Sequence, residues 1–408
     1  MASLKRVLFV QHAVDPNMLP VLARLSAMPD IAVEVLFASR LPPHRQWSGA
    51  VGGGIRSGFL PRLEINLGRL GAPFVLRINP TAALEIWRRR PDAVVSTPFP
   101  SATSLTALAM ARLMGRPFIL DIYTMASQSS ARRVFEPLLR WLVRRCDAFV
   151  AKSSRTAGYL VSLGAPPTRV FLAHHAVDAQ GLRERARLTP SEKAELRSRH
   201  GIRDGQVLLY VGRLVERKGL KVLLEAFAGL KEALPNTSLL LVGDGYQRPE
   251  LEGLCRQKAL SDVHFIGSVP HLELPRYYGL ADLLVLPSIS TRVRFWGEEA
   301  WGFVVGEALA CGVPAVVTDR VGCADDLIRD GENGYVVKEK DAGGLRAAML
   351  QVLTDHELHA RLRRGAERHI ADFSYERAAA GYHAAIERVL GGAPTATERS
   401  GTRKRLRY

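Results

Sequence analysis

The sequence predicts an α/β protein built from two doubly wound lobes, each with a parallel sheet. The chain has 408 residues, which is more than one ordinary hydrophobic core accommodates and suits two domains. Short apolar runs, typical of buried parallel strands, alternate with helical patterns along most of the chain. A segment rich in charged residues divides this alternation into two sets of elements.

The first set of strands begins near the N-terminus and contains six short runs, each bounded by polar residues or proline. A helix-like stretch at residues 20–28 follows the first run. Repetition of strand, helix and strand implies right-handed crossovers within one parallel sheet. The six predicted strands are residues 7–10, 33–37, 92–96, 117–121, 148–151 and 170–173.

The second set of strands follows residue 205, after a stretch that is dense in Arg, Glu and Ser and is interpreted as a linker. Its predicted strands are residues 207–211, 238–242, 263–266, 283–286 and 315–317, with helices at 219–233, 249–259, 274–280 and 304–311. The predicted division is an N-terminal Rossmann-like lobe at 1–185, a linker at 186–205 and a C-terminal Rossmann-like lobe at 206–372. A helix at 373–392 is expected to return to the first lobe, and residues 393–408 to form a basic disordered tail.

The net charge indicates which classes of partner the protein could bind, and the cysteines indicate the redox state of its compartment. The formal net charge of +16 and the isoelectric point of about 10.1 favour phosphates, anionic lipids or nucleic acid, although an Arg-rich proteome with solvated Arg faces explains the same charge. Four cysteines at unrelated spacings indicate no metal site and favour a reducing compartment. No stretch reaches the roughly 18 to 20 apolar residues that span a membrane. The sequence thus predicts a cytoplasmic protein, at most peripheral at the inner face of the cell membrane.

The first candidate segment follows the opening strand of the second lobe. It reads Gly212, Arg213 and Leu214, and then, after three further residues, Lys218 and Gly219. Cations just past the carboxyl end of a strand lie at the ligand-binding edge of an open α/β sheet. Beside a helix N-terminus, they suit a diphosphate. A surface loop with two solvated cations is the alternative, and the segment alone does not decide between them.

The second candidate segment holds two carboxylates, Glu299 and Glu307, separated by seven residues. A helix that begins near Phe303 places Glu307 in its first turns and Glu299 on the preceding loop. Gly302 lets a ligand approach the N–H groups at the start of that helix. Carboxylates only accept hydrogen bonds, so they select the hydroxyls of a sugar or a ribose. The alternative is a capping residue followed by a solvated helix face.

Two glycine turns complete the set of candidate segments. Gly243 lies in a Gly-Asp-Gly turn after the second strand of this lobe, and Gly267 ends a Phe-Ile-Gly sequence after the third, where backbone groups could contact a base. An ordinary β-turn explains each of them equally well, so neither turn carries much weight by itself.

Taken in order, the four segments resemble the C-terminal half of the retaining family 4 (group 1) glycosyltransferases, which have the GT-B fold. The resemblance covers about residues 140–390 well and the first 140 only in outline. It implies two Rossmann-like lobes whose parallel sheets face each other across a cleft. The matching motifs are G-R-L-x-x-x-K-G at 212–219, G-D-G at 243–245, F-x-G at 265–267, E-x7-E at 299–307, E-A-L-A-C-G-V-P at 307–314 and D-G-E-N-G at 330–334.

The resemblance also implies a role for each matching residue. Arg213 and Lys218 would bind the donor diphosphate, Glu307 the ribose hydroxyls, and Glu299 the hydroxyls of the transferred sugar as a catalytic residue. No cofactor and no metal are expected, because cations and helix dipoles stabilise the leaving diphosphate and no Asp-x-Asp motif stands beside a strand end. The residues expected to hold the donor nucleotide-sugar are Arg213, Lys218, Gly243, Gly267, Gly302, Phe303, Val304 and Glu307.

The first lobe departs from the family pattern, which puts acceptor handling in question. Many members have a Gly-Gly loop where residues 11–15 here read Q-H-A-V-D, and the glycines at 52–54 look like a flexible loop. Many members carry a His where this chain has Asp121, which could orient a hydroxyl as a catalytic residue or simply end a strand. His12 is a lesser candidate. His174 and His175 are interpreted as a structural turn, because no acidic or Cys partners for a metal are evident.

One helical segment has two interpretations. Across residues 132–145, the apolar positions form one stripe with five arginines around it, and Trp141 lies off the stripe. A core helix with a solvated basic face explains this pattern. Docking on an anionic membrane, to reach a lipid-linked acceptor, explains it as well.

The predicted reaction is hexosyl transfer from a nucleoside diphosphate sugar to a hydroxyl of a glycan, a lipid-linked or a small-molecule acceptor. The resemblance implies retention of the anomeric configuration, and the family suggests cell-envelope, exopolysaccharide or glycolipid assembly. One rival is another GT-B enzyme such as a nucleotide-sugar epimerase, which needs no acceptor. The other rival is a basic nucleic-acid-binding protein. Aromatic residues are only 7% of the chain and no recognised module is present, so no nucleic acid is expected as a partner.

Overall fold

The computed structural model describes residues 4–39, 55–66, 75–97, 101–122, 131–291 and 299–391. The chain divides into two compact units, one made of residues 1–124, 133–174 and 375–408, and the other of residues 125–132 and 175–374. Each unit has its own parallel sheet, which confirms the prediction of two Rossmann-like α/β lobes. The glycines at 52–54 and the expected tail at 393–408 lie outside the described residues.

The first unit is built on a seven-stranded parallel sheet and a separate two-stranded antiparallel one. Its strands are β1 (Lys5–Gln11), β2 (Ile31–Phe37), β3 (Arg56–Phe59), β4 (Leu63–Asn66), β5 (Val75–Ile78), β6 (Ala93–Ser96), β7 (Phe118–Ile122), β8 (Ala148–Ala151) and β9 (Val170–Leu172). Its helices are α1 (Leu19–Ser26), α2 (Ala82–Arg89), α3 (Ala102–Leu113), α4 (Ala131–Val143), α5 (Ser154–Ser162) and α15 (Tyr375–Leu390). The large sheet has the order β3-β2-β1-β6-β7-β8-β9, and β4 pairs with β5.

Burial explains why the central strands were recognisable in the sequence. Every residue of β6, β7 and β8 is buried, and parallel strands covered on both faces need uninterrupted apolar runs. All six predicted strands form. The strand β3 lies at the edge of the sheet beside β2 and is largely exposed, so it lacks the apolar run that would have predicted it.

The second unit is built on a six-stranded parallel sheet in the order β12-β11-β10-β13-β14-β15. Its strands are β10 (Val207–Val211), β11 (Ser238–Val242), β12 (Val263–Gly267), β13 (Leu283–Leu286), β14 (Ala315–Thr318) and β15 (Gly334–Val337). Its helices are α6 (Ala179–Ala186), α7 (Pro190–Arg199), α8 (Leu220–Ala233), α9 (Arg248–Gln257), α10 (Leu274–Leu280), α11 (Phe303–Ala310), α12 (Ala324–Leu327), α13 (Ala342–Thr354) and α14 (His356–His369). All five predicted strands form, and β15 is an addition.

The segment expected as a linker is part of the second unit. This unit begins at residue 175 rather than after residue 185, and α7 starts with a capping box in which Thr189 and Glu192 bond each other's backbone N–H groups. Leu182, Leu196 and Ile202 are buried in the hydrophobic core of this unit. The charged composition of residues 186–205 therefore reflects the solvated faces of packed helices.

The last helix belongs to the first unit, where α15 packs against α1, β8 and β9. The ring of Tyr382 on α15 meets Phe9 edge-on, with 5.6 Å between centroids. Its hydroxyl donates a hydrogen bond to Asp121 Oδ2 and accepts one from Lys152 Nζ. Lys152 Nζ is also 3.7 Å from Asp121 Oδ1. All three side chains are buried, so this network joins the carboxyl ends of β7 and β8 to the helix.

The buried charges in this network depend on one another. Burial raises the pKa of Asp121, and the charge of Lys152 opposes that rise. Burial lowers the pKa of Lys152, and the carboxylates of Asp121 and Asp15 oppose that fall. Charged groups in the interior remain stable only when each has its partners.

No helix among the described residues is long and apolar enough to cross a bilayer.

Tyr382→Phe is expected to loosen α15 from the first unit, because both the ammonium and the carboxylate lose a buried hydrogen bond. We expect a cost of about 2 kcal/mol, so that amides of α15 exchange roughly 30-fold faster in hydrogen-exchange mass spectrometry. Tyr335→Phe, at a half-buried position in β15, is the control and should leave α15 unchanged. Equal protection of α15 in both variants would contradict a structural role for the network.

Candidate functional site

The candidate site lies at the carboxyl edge of the sheet in the second unit, where three strands end in glycine or are followed by it. Gly212 donates its N–H to Val242 O at 2.9 Å, and Gly243 donates to Gly267 O at 2.8 Å. Gly243 has a φ of +130°, and a Cβ there would lie 2.0 Å from Gly212 O. Gly243 and Gly267, expected from the sequence at the donor site, therefore lie side by side, and the backbone itself requires Gly243.

Two cations and one carboxylate meet just beyond the end of β10. Lys218 and Arg217 lie in a short 3₁₀ turn over Glu216–Lys218. Both bind the same oxygen of Glu299: Arg217 Nη1 is 2.7 Å and Lys218 Nζ 2.5 Å from Oε2. The side chains of Lys218 and Glu299 are only 8% and 14% exposed. The other oxygen, Oε1, makes no hydrogen bond with the described residues.

The charges of this group keep Glu299 ionised. Burial alone would raise the pKa of Glu299, but the charges and hydrogen bonds of Lys218 and Arg217 outweigh it and hold the pKa of the carboxyl below its usual value. Burial lowers the pKa of the Lys218 ammonium, and the negative charge and the hydrogen bond of Glu299 oppose that fall. A buried pair of this kind is stable only while both partners are charged and in place.

Two arginines of the candidate site differ from the sequence prediction. Arg213, which was predicted there, has an exposed side chain, and Arg217, which was not predicted, binds Glu299. The side chain of Arg213 is exposed and forms no ion pair with a described residue, although its charge acts on Lys218. Its carbonyl accepts a hydrogen bond from the buried Tyr210 hydroxyl at 2.8 Å. Arg217 was missed because it occupies a variable position between the fixed letters of the motif. Its distance to Glu299 identifies it as a third cation of the site.

The loop that carries Glu299 leads into the N-terminus of α11. Gly302 is the N-cap, with a φ of +102°, and a Cβ there would lie 2.9 Å from Val321 Cγ1. The N–H of Val305 bonds Gly302 O, whereas those of Phe303 and Val304 precede the first intrahelical bond and are open to a ligand. Both residues therefore lie where the sequence placed them, at the start of a helix that favours an anion.

Glu307 lies on the second turn of α11 and is half-buried. Its Oε2 accepts a hydrogen bond from the hydroxyl of Tyr278 on α10 at 2.7 Å. Burial raises the pKa of Glu307, and the Tyr278 hydrogen bond and the charge of His271 oppose that rise. Tyr278 was also missed from the sequence, because it lies 29 residues away outside the motifs that drew attention.

The catalytic role expected for Asp121 does not fit its surroundings. Its side chain has no exposed surface and lies between Lys152 and Tyr382 in the interior of the first unit. A hydroxyl of a substrate cannot reach a carboxylate in that position without displacing α15. His12 is half-buried, and its carbonyl accepts a hydrogen bond from Ser39.

The paired histidines pack as side chains of the fold. The ring of His175 lies 4.5 Å from that of Phe303 and 5.3 Å from that of Trp301, measured between centroids. His175 therefore supports the loop that enters α11. These contacts support a structural role for His175, although residues 173–178 do not form the predicted turn.

One group of described residues has the composition of a metal site, and it lies on the first unit rather than at the candidate site. It consists of Asp30, His383 and Glu387. The ammonium of Lys5 contacts Glu387 and lies 4.0 Å from Asp30 Oδ2, so a cation of the protein already balances these carboxylates. The group is a charge network on the flank of α15.

The fold has close counterparts among solved structures. HepE from Anabaena, solved with UDP, superposes with a TM-score of 0.72 at 18% identity, over 94% of this chain and 99% of that protein. A glycosyltransferase from Rickettsia africae superposes with a TM-score of 0.73 at 16% identity, over 95% and 100%. At such identities the likeness concerns the fold, and it places the chain among proteins of the GT-B class.

The family follows from the sequence comparisons. The profile described as Glycosyl transferases group 1 matches residues 192–369, and the Glycosyltransferase Family 4 profile matches residues 22–180. The 2-deoxystreptamine glucosyltransferase of Streptomyces kanamyceticus is 30% identical over 69% of this chain and 73% of its own length. The chain belongs to the group 1, family 4 glycosyltransferases.

Other relatives are matched over a smaller part of their length. The D-inositol 3-phosphate glycosyltransferase of Thermomonospora curvata is 32% identical over 68% of this chain. The chain spans 65% of the length of that relative, which is just under two thirds.

Glu299→Gln is expected to destabilise the second unit in a pH-dependent way. Because the folded pKa of Glu299 lies below its unfolded value, its contribution is present above about pH 4.3 and is lost as the pH falls through the folded pKa. We expect a loss of about 2 kcal/mol at pH 7, and a gap in Tm between native protein and variant that closes on acidification.

The matched control is Glu250→Gln, which removes the exposed ion pair of Glu250 with Lys221. An exposed pair contributes little, so this variant should follow the native Tm at every pH. Parallel Tm curves for the native protein and Glu299→Gln, with a gap independent of pH, would show that the ionised carboxylate is not what stabilises the site.

Proposed function

We propose that this chain transfers a hexosyl group from a nucleoside diphosphate sugar to a hydroxyl acceptor, with retention of the anomeric configuration. The proposal depends above all on the meeting of Lys218, Arg217 and Glu299 at the carboxyl edge of the second sheet, on the loop that leads into α11. Cations and open N–H groups at that edge suit a diphosphate. Membership of the family and the UDP bound by HepE support a nucleotide-linked donor.

Each residue of the site has a part in the proposed reaction. Arg213, Arg217 and Lys218 would bind the diphosphate and stabilise the negative charge that develops on it as it leaves. Glu307 would accept hydrogen bonds from the ribose, and Glu299, through Oε1, from a hydroxyl of the transferred sugar. The proposal needs no divalent metal, because side chains and helix N–H groups supply the positive field.

The acceptor and the biological setting are proposed more broadly. Glycans, lipid-linked sugars and small molecules all offer the hydroxyl that the reaction needs. Relatives of this chain are named for D-inositol 3-phosphate, 2-deoxystreptamine and a phosphatidylinositol monomannoside. We favour cell-envelope, exopolysaccharide or glycolipid assembly, in the cytoplasm or at the inner face of the membrane.

Lys218→Ala is expected to abolish donor binding. UDP-, GDP-, ADP- and dTDP-sugars at millimolar concentration and without metal should be compared by thermal shift, and one series should raise the Tm of the native protein by mass action. Lys221→Ala, which removes an exposed lysine on α8, is the matched control and should keep the full shift. The same pair should differ in transfer to an acceptor extract by about 100-fold or more.

The outcomes of this experiment separate the proposal from its rivals. No shift with any donor, with Mg²⁺ also tried, would overturn the donor site. Binding followed by release of free nucleotide and sugar without an acceptor would indicate an epimerase. Loss of binding in both lysine variants would show that net charge, rather than the position of Lys218, governs affinity.

Peripheral membrane contact through α4 is part of this proposal. Leu142 and Val143 are buried, whereas Leu138 and Trp141 are 42% and 48% exposed, and the guanidinium of Arg145 lies 3.7 Å from the centre of the Trp141 ring. Exposed apolar side chains among arginines suit the interface of an anionic bilayer.

Trp141→Ser is expected to weaken sedimentation with phosphatidylglycerol vesicles several-fold, since an aromatic anchor is lost. Leu272→Ser, which removes an apolar side chain that is 74% exposed in the second unit, is the control. Phosphatidylcholine vesicles should bind neither form. Unchanged sedimentation of Trp141→Ser would leave α4 as a core helix with a solvated face.

A further inference from the structure

The two oxygens of Glu307 have different surroundings. Oε2 accepts the hydrogen bond of the Tyr278 hydroxyl at 2.7 Å, while Oε1 makes no hydrogen bond with the described residues. We propose that Tyr278 is a positioning residue that holds Glu307 in the orientation needed to accept hydrogen bonds from the ribose hydroxyls of the donor. This inference rests on the proposed function and names a residue that determines its specificity for ribonucleotides.

The burial of Tyr278 decides how it acts. Its side chain is fully buried, and α10, which carries it, packs against α11 and β10. The hydroxyl therefore cannot touch a bound nucleotide and acts only through Glu307. A ring fixed on all sides directs its hydroxyl in one direction, so the carboxylate plane of Glu307 is defined before any ligand arrives.

The hydrogen bond also favours the ionised form of Glu307. Burial raises the pKa of Glu307, and the donation from Tyr278 opposes that rise. The charge of His271, which precedes α10, opposes that rise too. The neighbouring thiol of Cys311, the C-cap of α11, has its own pKa raised to about 12 and stays neutral. A protonated carboxyl would replace the charged acceptor, which forms the stronger hydrogen bond with a ribose hydroxyl, by a neutral group.

The adjacent tyrosine supplies a matched control. Tyr277 lies on the same helix and is also buried, but its hydroxyl pairs with His200 Nε2 at 3.0 Å, outside the candidate site. Tyr277→Phe and Tyr278→Phe remove the same atom from neighbouring positions of α10. General weakening of this helix would affect both variants alike.

The test compares ribose with 2′-deoxyribose by isothermal titration. UDP, GDP and ADP are each titrated beside their 2′-deoxy counterparts into the native protein, Tyr277→Phe and Tyr278→Phe. We expect the native protein and Tyr277→Phe to prefer the ribonucleotide that binds by about tenfold or more. In Tyr278→Phe, that preference should fall to about twofold, with the Kd of the ribonucleotide raised about tenfold.

A second variant keeps the test decisive if Tyr278→Phe folds poorly. In Glu307→Gln, Tyr278 should bond the single amide oxygen and turn the NH₂ group towards the ribose, so the preference is lost. In the double variant Tyr278→Phe/Glu307→Gln, the amide oxygen is released, and part of the lost preference should return, up to the roughly twofold value of Tyr278→Phe. Such recovery cannot come from a purely structural role, because the effects of the two substitutions would then add.

The outcomes distinguish this inference from the proposed function. If no nucleotide binds the native protein, the donor site and this inference both fail. If a ribonucleotide binds with the expected preference and Tyr278→Phe keeps that preference, the donor site stands and the positioning role is overturned. A preference that falls equally in Tyr277→Phe and Tyr278→Phe would overturn it as well.

Discussion

The ion pair between Lys218 and Glu299 is the contact on which the candidate site depends. It joins the end of β10 to the loop before α11, two segments about 80 residues apart in the chain. Removing two charges from water costs more than their attraction returns unless the geometry is good, so each side chain stays in place only while the other does. The loop that carries Glu299 continues into Gly302 and the start of α11. The position of Glu307, one turn further, thus follows from the same contact.

The sequence predicted those parts of the fold in which burial alone determines the residue types. Strands such as β10 and β11 are buried at every residue, and this demands an apolar run that any reader of the sequence can find. Within the described part of the chain, the strand β3 lies at the edge of the sheet beside β2 and is mostly exposed, so its sequence carries no such signal. The charged stretch around α7 was predicted to be a linker because most of its residues are polar, yet the buried Leu196 and Ile202 attach it to the core of the second unit.

The candidate site was predictable to the extent that it lies in sequence motifs. Gly243 and Gly267 lie at strand ends, and Glu299 and Glu307 lie on either side of the start of α11, where position in the fold follows from position in the chain. Arg217 and Tyr278 contribute through side-chain contacts that form only when distant segments meet, and no local pattern marks them. Asp121 illustrates the converse, because a carboxylate at a strand end resembles a catalytic group until the helix that covers it is seen.

The two buried charge networks differ in how far their carboxylates are exposed: the side chain of Asp121 has no exposed surface, and that of Glu299 is 14% exposed. In the first unit, Asp121 and Lys152 are almost without exposed surface and use Tyr382 of the last helix as a common partner, an arrangement that serves packing. In the second unit, Arg217 and Lys218 bind one oxygen of Glu299, and the other makes no hydrogen bond to any residue that the structure describes. Two cations thus share this carboxylate, and the charge of the exposed Arg213 acts on Lys218 as well. If the proposed donor binds here, these cations would lie where negative charge grows on the leaving diphosphate. Under that proposal the site would bind the transition state more tightly than the bound donor, which is the condition that catalysis sets.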